Sequence, residues 1–248
     1  MVEAARPSPD GVRLHYLAYH IQAEGENLSI IPPLTRSASV SNPLVGRVDD
    51  FEIKIFDGPR WGVLNRLVEA AHKMVELKAD PAAAIEAGRP HIELLHHPED
   101  AVKITLGFAE AVDAYGSDPS PLINSALGIA TRYASLSEEE PFFTPVAAEL
   151  YAKIGESQAR MHRDPQAFLL ADTYLGKGVQ EVGDSAMGQV CFMDTVKAVV
   201  QAETRAGYTD AARKSLDSIP VDWDAVKDML QHELFPEIQA AEYIKYQD

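Results

Sequence analysis

The spacing of apolar residues changes character near residue 60. Upstream, they cluster in short runs: "VRLHYLAYHI" is aromatic and branched, "LSIIPPL" ends in a proline pair, and "FEIKIF" alternates Phe51, Ile53 and Ile55 before the turn-like "DGP". With the loop chemistry of "TRSASVSNP" between them, these runs predict two or three short strands or extended segments, a small N-terminal β or extended element over residues 1–60.

From Trp61 onward the rhythm is helical. Capping residues stand immediately before prolines at Asp80 and Pro81, Asp118 and Pro119, Thr144 and Pro145, and Asp164 and Pro165. A side-chain oxygen there accepts an orphan amide, while proline supplies a helical φ and has no amide to leave unpaired. His97, Pro98, Glu99 and Asp100 form a weaker start, helped by acids in the first turn. Starts at Pro81, Pro98, Pro121, Pro145, Pro165 and Ser185 imply helices of about 14–18 residues joined by short turns.

The faces agree with this reading. Phe168, Ala171, Leu175 and Val179 make one stripe, with Gln166, Thr173, Lys177 and Gln180 opposite. In "VCFMDTVKAVVQAETRAG" the polar positions Asp194, Lys197, Gln201 and Thr204 form a narrow strip on an apolar cylinder, which predicts a helix covered on most sides. Around Phe108 the strip is again thin, Lys103, Glu110 and Asp113, with Ile104, Ala111 and Tyr115 on the apolar side. "PVAAELYAKIGESQAR" pairs Glu149 with Lys153 and Glu156 with Arg160 at i, i+4, and is expected to be more exposed. The fold class predicted is mainly α: stacked antiparallel helical hairpins, an αα superhelix or a bundle, over residues 61–248.

Within "AETRAGYTDAARKSLDSIP", Ala202, a closing Gly207, an opening Ala212 and a terminal Pro220 resemble one unit of the tetratricopeptide-like helical repeat proteins, over about residues 190–220. The resemblance implies an αα superhelix whose inner groove holds a peptide or a partner protein.

Charge narrows the partners. Lys and Arg number 22 against 38 Asp and Glu, a formal charge of −16. Such a field repels nucleic-acid phosphates and anionic lipid and favours a protein or peptide partner, basic ones above all. The single Cys191, in the apolar run "VCFM", is expected to be a buried structural thiol and points to a reducing compartment. Neither a signal peptide nor a membrane span is read, so the location expected is cytoplasmic.

The candidate chemistry is in the histidines. "HIELLHH" places His91, His96 and His97 within seven residues. On a helix at about 100° per residue they point in three directions, so no single face gathers them. Convergent spacing occurs instead at Glu69 with His72 and Glu93 with His96, and Glu76 follows one turn after His72. These two Glu-x-x-His pairs resemble those of the ferritin-like di-iron carboxylate proteins, which would imply a metal site completed by two further glutamates; Glu110 and Glu149 can be nominated, though nothing in the sequence marks them out. The motifs stand only 24 residues apart, however, and "DPAAAIEAGRP" breaks the chain between them. His96 and His97 before Pro98 read more simply as a helix C-terminus, where imidazoles meet exposed carbonyls.

Other constellations fail. "GPRWG" and "LGKGVQEVG" lack the strand-to-helix setting of a phosphate loop, and "GDSAMG" lacks the spacing of a nucleophile elbow. "MHRDP" is followed by helix, unlike a kinase catalytic loop. Glu138, Glu139 and Glu140 precede Phe142 and Phe143, a solvated helix start or an acidic, aromatic edge for a basic peptide. The leading expectation is a non-enzymatic protein-protein interaction module, an adaptor or scaffold with a helical groove and an acidic surface, needing no cofactor. The alternative is an all-α metal-dependent enzyme or metal-binding protein built on Glu69, His72, Glu93 and His96.

Overall fold

The computed structural model describes residues 5–7, 13–15, 20–24, 27–31, 56–92, 94–95, 97–220 and 223–245. The chain is mainly α-helical and divides into two compact units, residues 1–122 and 123–248.

In the first unit, β1 (Ala5–Pro7) pairs antiparallel with β2 (Arg13–His15), and β3 (His20–Glu24), β4 (Asn27–Ile31) and β5 (Phe56–Pro59) form an antiparallel sheet in that order. Phe51, Ile53 and Ile55 lie outside the described residues, whereas the "DGP" expected as a turn belongs to β5. The chain then enters α1 (Arg60–Glu76), followed by α2 (Ala82–Ile92) and α3 (Pro98–Ala114). Leu64, Leu67, Ala71, Ile104 and Phe108 form the core where α1 meets α2 and α3. Small residues let the backbones close: a Cβ on Gly107 would stand 2.6 Å from Val68, and one on Gly88 would touch the Phe108 ring at 3.0 Å.

The second unit takes in most of α4 (Ser120–Leu136), then α5 (Phe143–Arg160), α6 (Ala167–Val182), α7 (Ala186–Arg205), α8 (Thr209–Asp217) and α9 (Asp224–Lys245). The stripe Phe168, Ala171, Leu175 and Val179 is buried as expected. Helix α7 packs against α5, α6, α8 and α9, which explains its thin polar strip. That strip is narrower still than the sequence implies, because Thr204 is buried and returns its hydroxyl to the Val200 carbonyl at 2.7 Å. Cys191, expected inside, is exposed, since the buried face of α7 runs through Phe192, Val196, Val199 and Val200 instead.

Helix α5 corrects a second expectation. Its Ala147, Leu150, Tyr151, Ile154 and Gly155 are buried, because α6 and α7 both lie against it. Its acids serve other helices: Glu149 accepts from Thr195 Oγ1 at 2.8 Å, and Glu156 takes both Nε and Nη2 of Arg205 at 2.9 Å. The Glu156 contact to Arg160 is longer, 3.5 Å.

The starts divide similarly. Asp80 accepts from the Ala82 amide and Asp118 from the Ser120 amide, each at 3.0 Å, and Ser185 accepts from Gly188 at 3.2 Å. Thr144 is no cap: α5 begins one residue earlier and Thr144 is buried within it. Asp164 does not cap either, but accepts from the Gln166 side chain while α6 starts at Ala167.

Candidate functional site

Two turns of the same kind build the site. After α5, the His162 amide donates to Ala159 and the Arg163 amide to Gln158; after α7, Gly207 donates to Thr204 and Tyr208 to Glu203. These paired bonds are the Schellman closure, which needs a left-handed residue just past the helix. Gly207 supplies it at φ 79°, and His162 adopts φ 54° despite its Cβ. Each turn hands the chain to a new helix, α6 or α8.

Between the starts of those helices lies a cavity of about 530 Å³. Phe168, Leu169, Leu170, Tyr208 and Ala211 give it apolar walls, and the Phe168 and Tyr208 rings meet at 5.7 Å. Leu169, Leu170 and Tyr208 remain 69%, 42% and 43% exposed, beside the carboxylates of Asp164 and Asp172.

Behind Asp172 is a buried acid. Glu203 of α7 is 0% exposed. Ser215 of α8 donates its hydroxyl to Asp172 Oδ1 at 2.8 Å, with a longer and weaker contact to Glu203 Oε1 at 3.4 Å. Glu203 Oε2 receives no donor. Burial first, and the Asp172 charge second, push the Glu203 carboxyl up to about 9, against smaller opposing effects of the Ser215 hydrogen bond and Lys214. A neutral Glu203 removes the difficulty of a buried carboxylate oxygen without a donor. Glu203 therefore keeps its proton at neutral pH, and Asp172, joined to it through the Ser215 hydroxyl, lines the cavity.

The sequence carried a signal for Glu203. At about 100° per residue it lies roughly 180° from Asp194, opposite the polar strip of α7, where a carboxylate must be partnered or protonated.

The histidine-based candidates are arranged differently. Glu69 is on the outer face of α1, its carboxylate 2.7 Å from Arg66, with His72 half-buried one turn further on and Glu76 paired to Lys73. Glu93 and His96 lie outside the described residues. Among the described residues no group of three or more His, Cys, Asp or Glu is gathered closely enough to hold a metal. "HIELLHH" is not one helix: α2, with Pro90 inside it, ends at Ile92, and His97 is the N-cap of α3 rather than a helix C-terminus. Glu138, Glu139 and Glu140 are exposed in the turn before α5, and Glu138 receives Lys177 at 3.0 Å.

No family model matches the chain, and no curated protein or solved structure matches it. Among the described residues no helix is long and apolar enough to cross a membrane.

Proposed function

We propose that this chain is a non-enzymatic protein-interaction module, an adaptor or scaffold, that takes a short segment of a partner protein into the cavity between α6 and α8. The observation that carries the reading is the cluster of Leu169, Leu170 and Tyr208, large apolar side chains left in water around a preformed depression. Exposed apolar groups beside a concave surface are what a partner's anchoring side chain desolvates on binding. The charge of −16 fits a basic partner, and the tetratricopeptide-like stretch covers Tyr208 and Ala211 at the cavity wall. A cytoplasmic setting belongs to the same reading, in keeping with a lone, exposed Cys191.

The test is selection from a displayed random-peptide library on the purified protein, with the Leu169→Asp variant as counter-screen. The expected result is a family of peptides with a shared apolar anchor, binding the variant at least about tenfold more weakly, roughly 1.4 kcal/mol. Peptides that bind both proteins equally, or no enrichment at all, would show that this cavity is not the docking site.

A further inference from the structure

The cavity and the buried carboxyl pair share Asp172, and this juxtaposition has a consequence for what binds. Asp172 lines the cavity and accepts from Ser215 at 2.8 Å, and the same hydroxyl stands 3.4 Å from the fully buried Glu203. Glu203 Oε2 has no donor from the protein. Among the residues lining the cavity, Asp164 and Asp172 are acidic and none is basic. The start of α6 offers nothing to an anion: its Ala167 amide is directed to Gln158 Oε1, Phe168 to the Pro165 carbonyl and Leu169 to the Gln166 carbonyl. The polar side of the cavity is built for a cation.

We propose that the cavity binds a basic side chain flanked by apolar residues, and that the arriving cation pairs with Asp172 and, through it, loosens the proton on the buried Glu203 behind it. The proposal rests on the reading of the cavity as a peptide-docking site. Without a ligand, burial first and the nearby Asp172 charge second keep the proton on Glu203. A guanidinium or ammonium beside Asp172 offsets that charge, the second of the two causes, while burial remains, so Glu203 gives up part of its proton to the solvent.

The groups that act on Glu203 are Asp172 from α6 and Ser215 and Lys214 from α8. On the other helices packed against α7, Glu156 of α5 and Glu237 of α9 act on Arg205 instead. Raised by burial and by Asp172, Glu203 stays protonated up to about pH 9, so across the neutral range there is a proton to release. Ligand affinity therefore rises with pH, by at most about tenfold per pH unit for one proton.

The experiment is calorimetric titration of the full chain with acetyl-Leu-Arg-Leu-amide and with its neutral citrulline analogue, at pH 6 and pH 8, in two buffers of different ionisation enthalpy. The arginine peptide is expected to bind about tenfold more tightly at pH 8 and to release a measurable fraction of a proton. The Glu203→Gln variant should bind it with no pH dependence, and Asp172→Asn should lose the preference for arginine over citrulline, both variants being checked for native circular dichroism. If arginine and citrulline peptides bind alike and without proton release, the docking reading stands and the cation-for-proton exchange is wrong. If neither binds, both fall.

Discussion

Glu203 decides most at the scale of single residues. Its carboxyl is moved from an ordinary 4.5 to about 9, burial being the larger cause and Asp172 the next. Between those values the folded chain keeps a proton that the unfolded chain releases, so rising pH favours unfolding throughout the window, and stability is greatest at its acid end. Replacing Glu203 by Gln removes that dependence. Chemical denaturation should find the variant more stable than the parent at pH 8 by about 2–4 kcal/mol, with the advantage vanishing near pH 5. A parent protein whose stability is flat from pH 5 to pH 9 would mean that Glu203 is ionised when folded. Cys191 is a simpler case: its exposed thiol should react with a disulfide reagent in the native protein as fast as after denaturation, and slow labelling would place it back in the core. His162 adopts a left-handed φ of 54° where Gly207 does the same duty without a Cβ. His162→Gly is therefore expected to raise the unfolding midpoint, by about 1 kcal/mol of stability, and an unchanged or lower midpoint would show that the imidazole makes good the strain.

The elements show which sequence signals survive packing. Asp80, Asp118 and Ser185 cap as their positions suggest, because capping needs only neighbours two or three residues away. Thr144 has the same sequence signature but is carried inside, where α5 is covered by its neighbours. Glycines record how closely helices approach. A Cβ on Gly178 of α6 would run into the Phe192 ring of α7, whereas one on Gly176, two residues away, would meet nothing within 4 Å. Gly178→Ala should thus destabilise by about 1–3 kcal/mol through overpacking, even though alanine is the better helix former. Gly176→Ala should be neutral or stabilise by up to about 1 kcal/mol. Thermal melts of the two variants test the pairing of α6 with α7, and equal shifts for both would contradict it.

At the scale of the whole molecule, the second compact unit contains both the cavity and the carboxyl pair. Its core, with Leu150, Ile154, Leu175, Val196, Leu216 and Leu230 buried, is spread over α5 to α9. A fragment of residues 118–248, which retains the Asp118 cap of α4, is expected to be helical and to melt in one cooperative transition. A gradual, non-cooperative loss of helical signal would show that this unit needs the first one. Reading along the chain is enough for the mainly helical class, the turn positions around Pro81, Pro98 and Ser185, the buried stripe through Phe168 and Leu175, and the strong negative charge. Each follows from local chemistry or from a period of about 3.6 residues, which fixes the faces of a helix before its neighbours are known. What each face meets is settled by how the helices pack. That packing brought Ser215 within 2.8 Å of Asp172 across 43 positions of chain, buried Glu203 behind them, covered α5 and turned Cys191 outward. Those outcomes depend on which helices share a boundary, and long-range packing sets that, not the spacing of residues along any one helix.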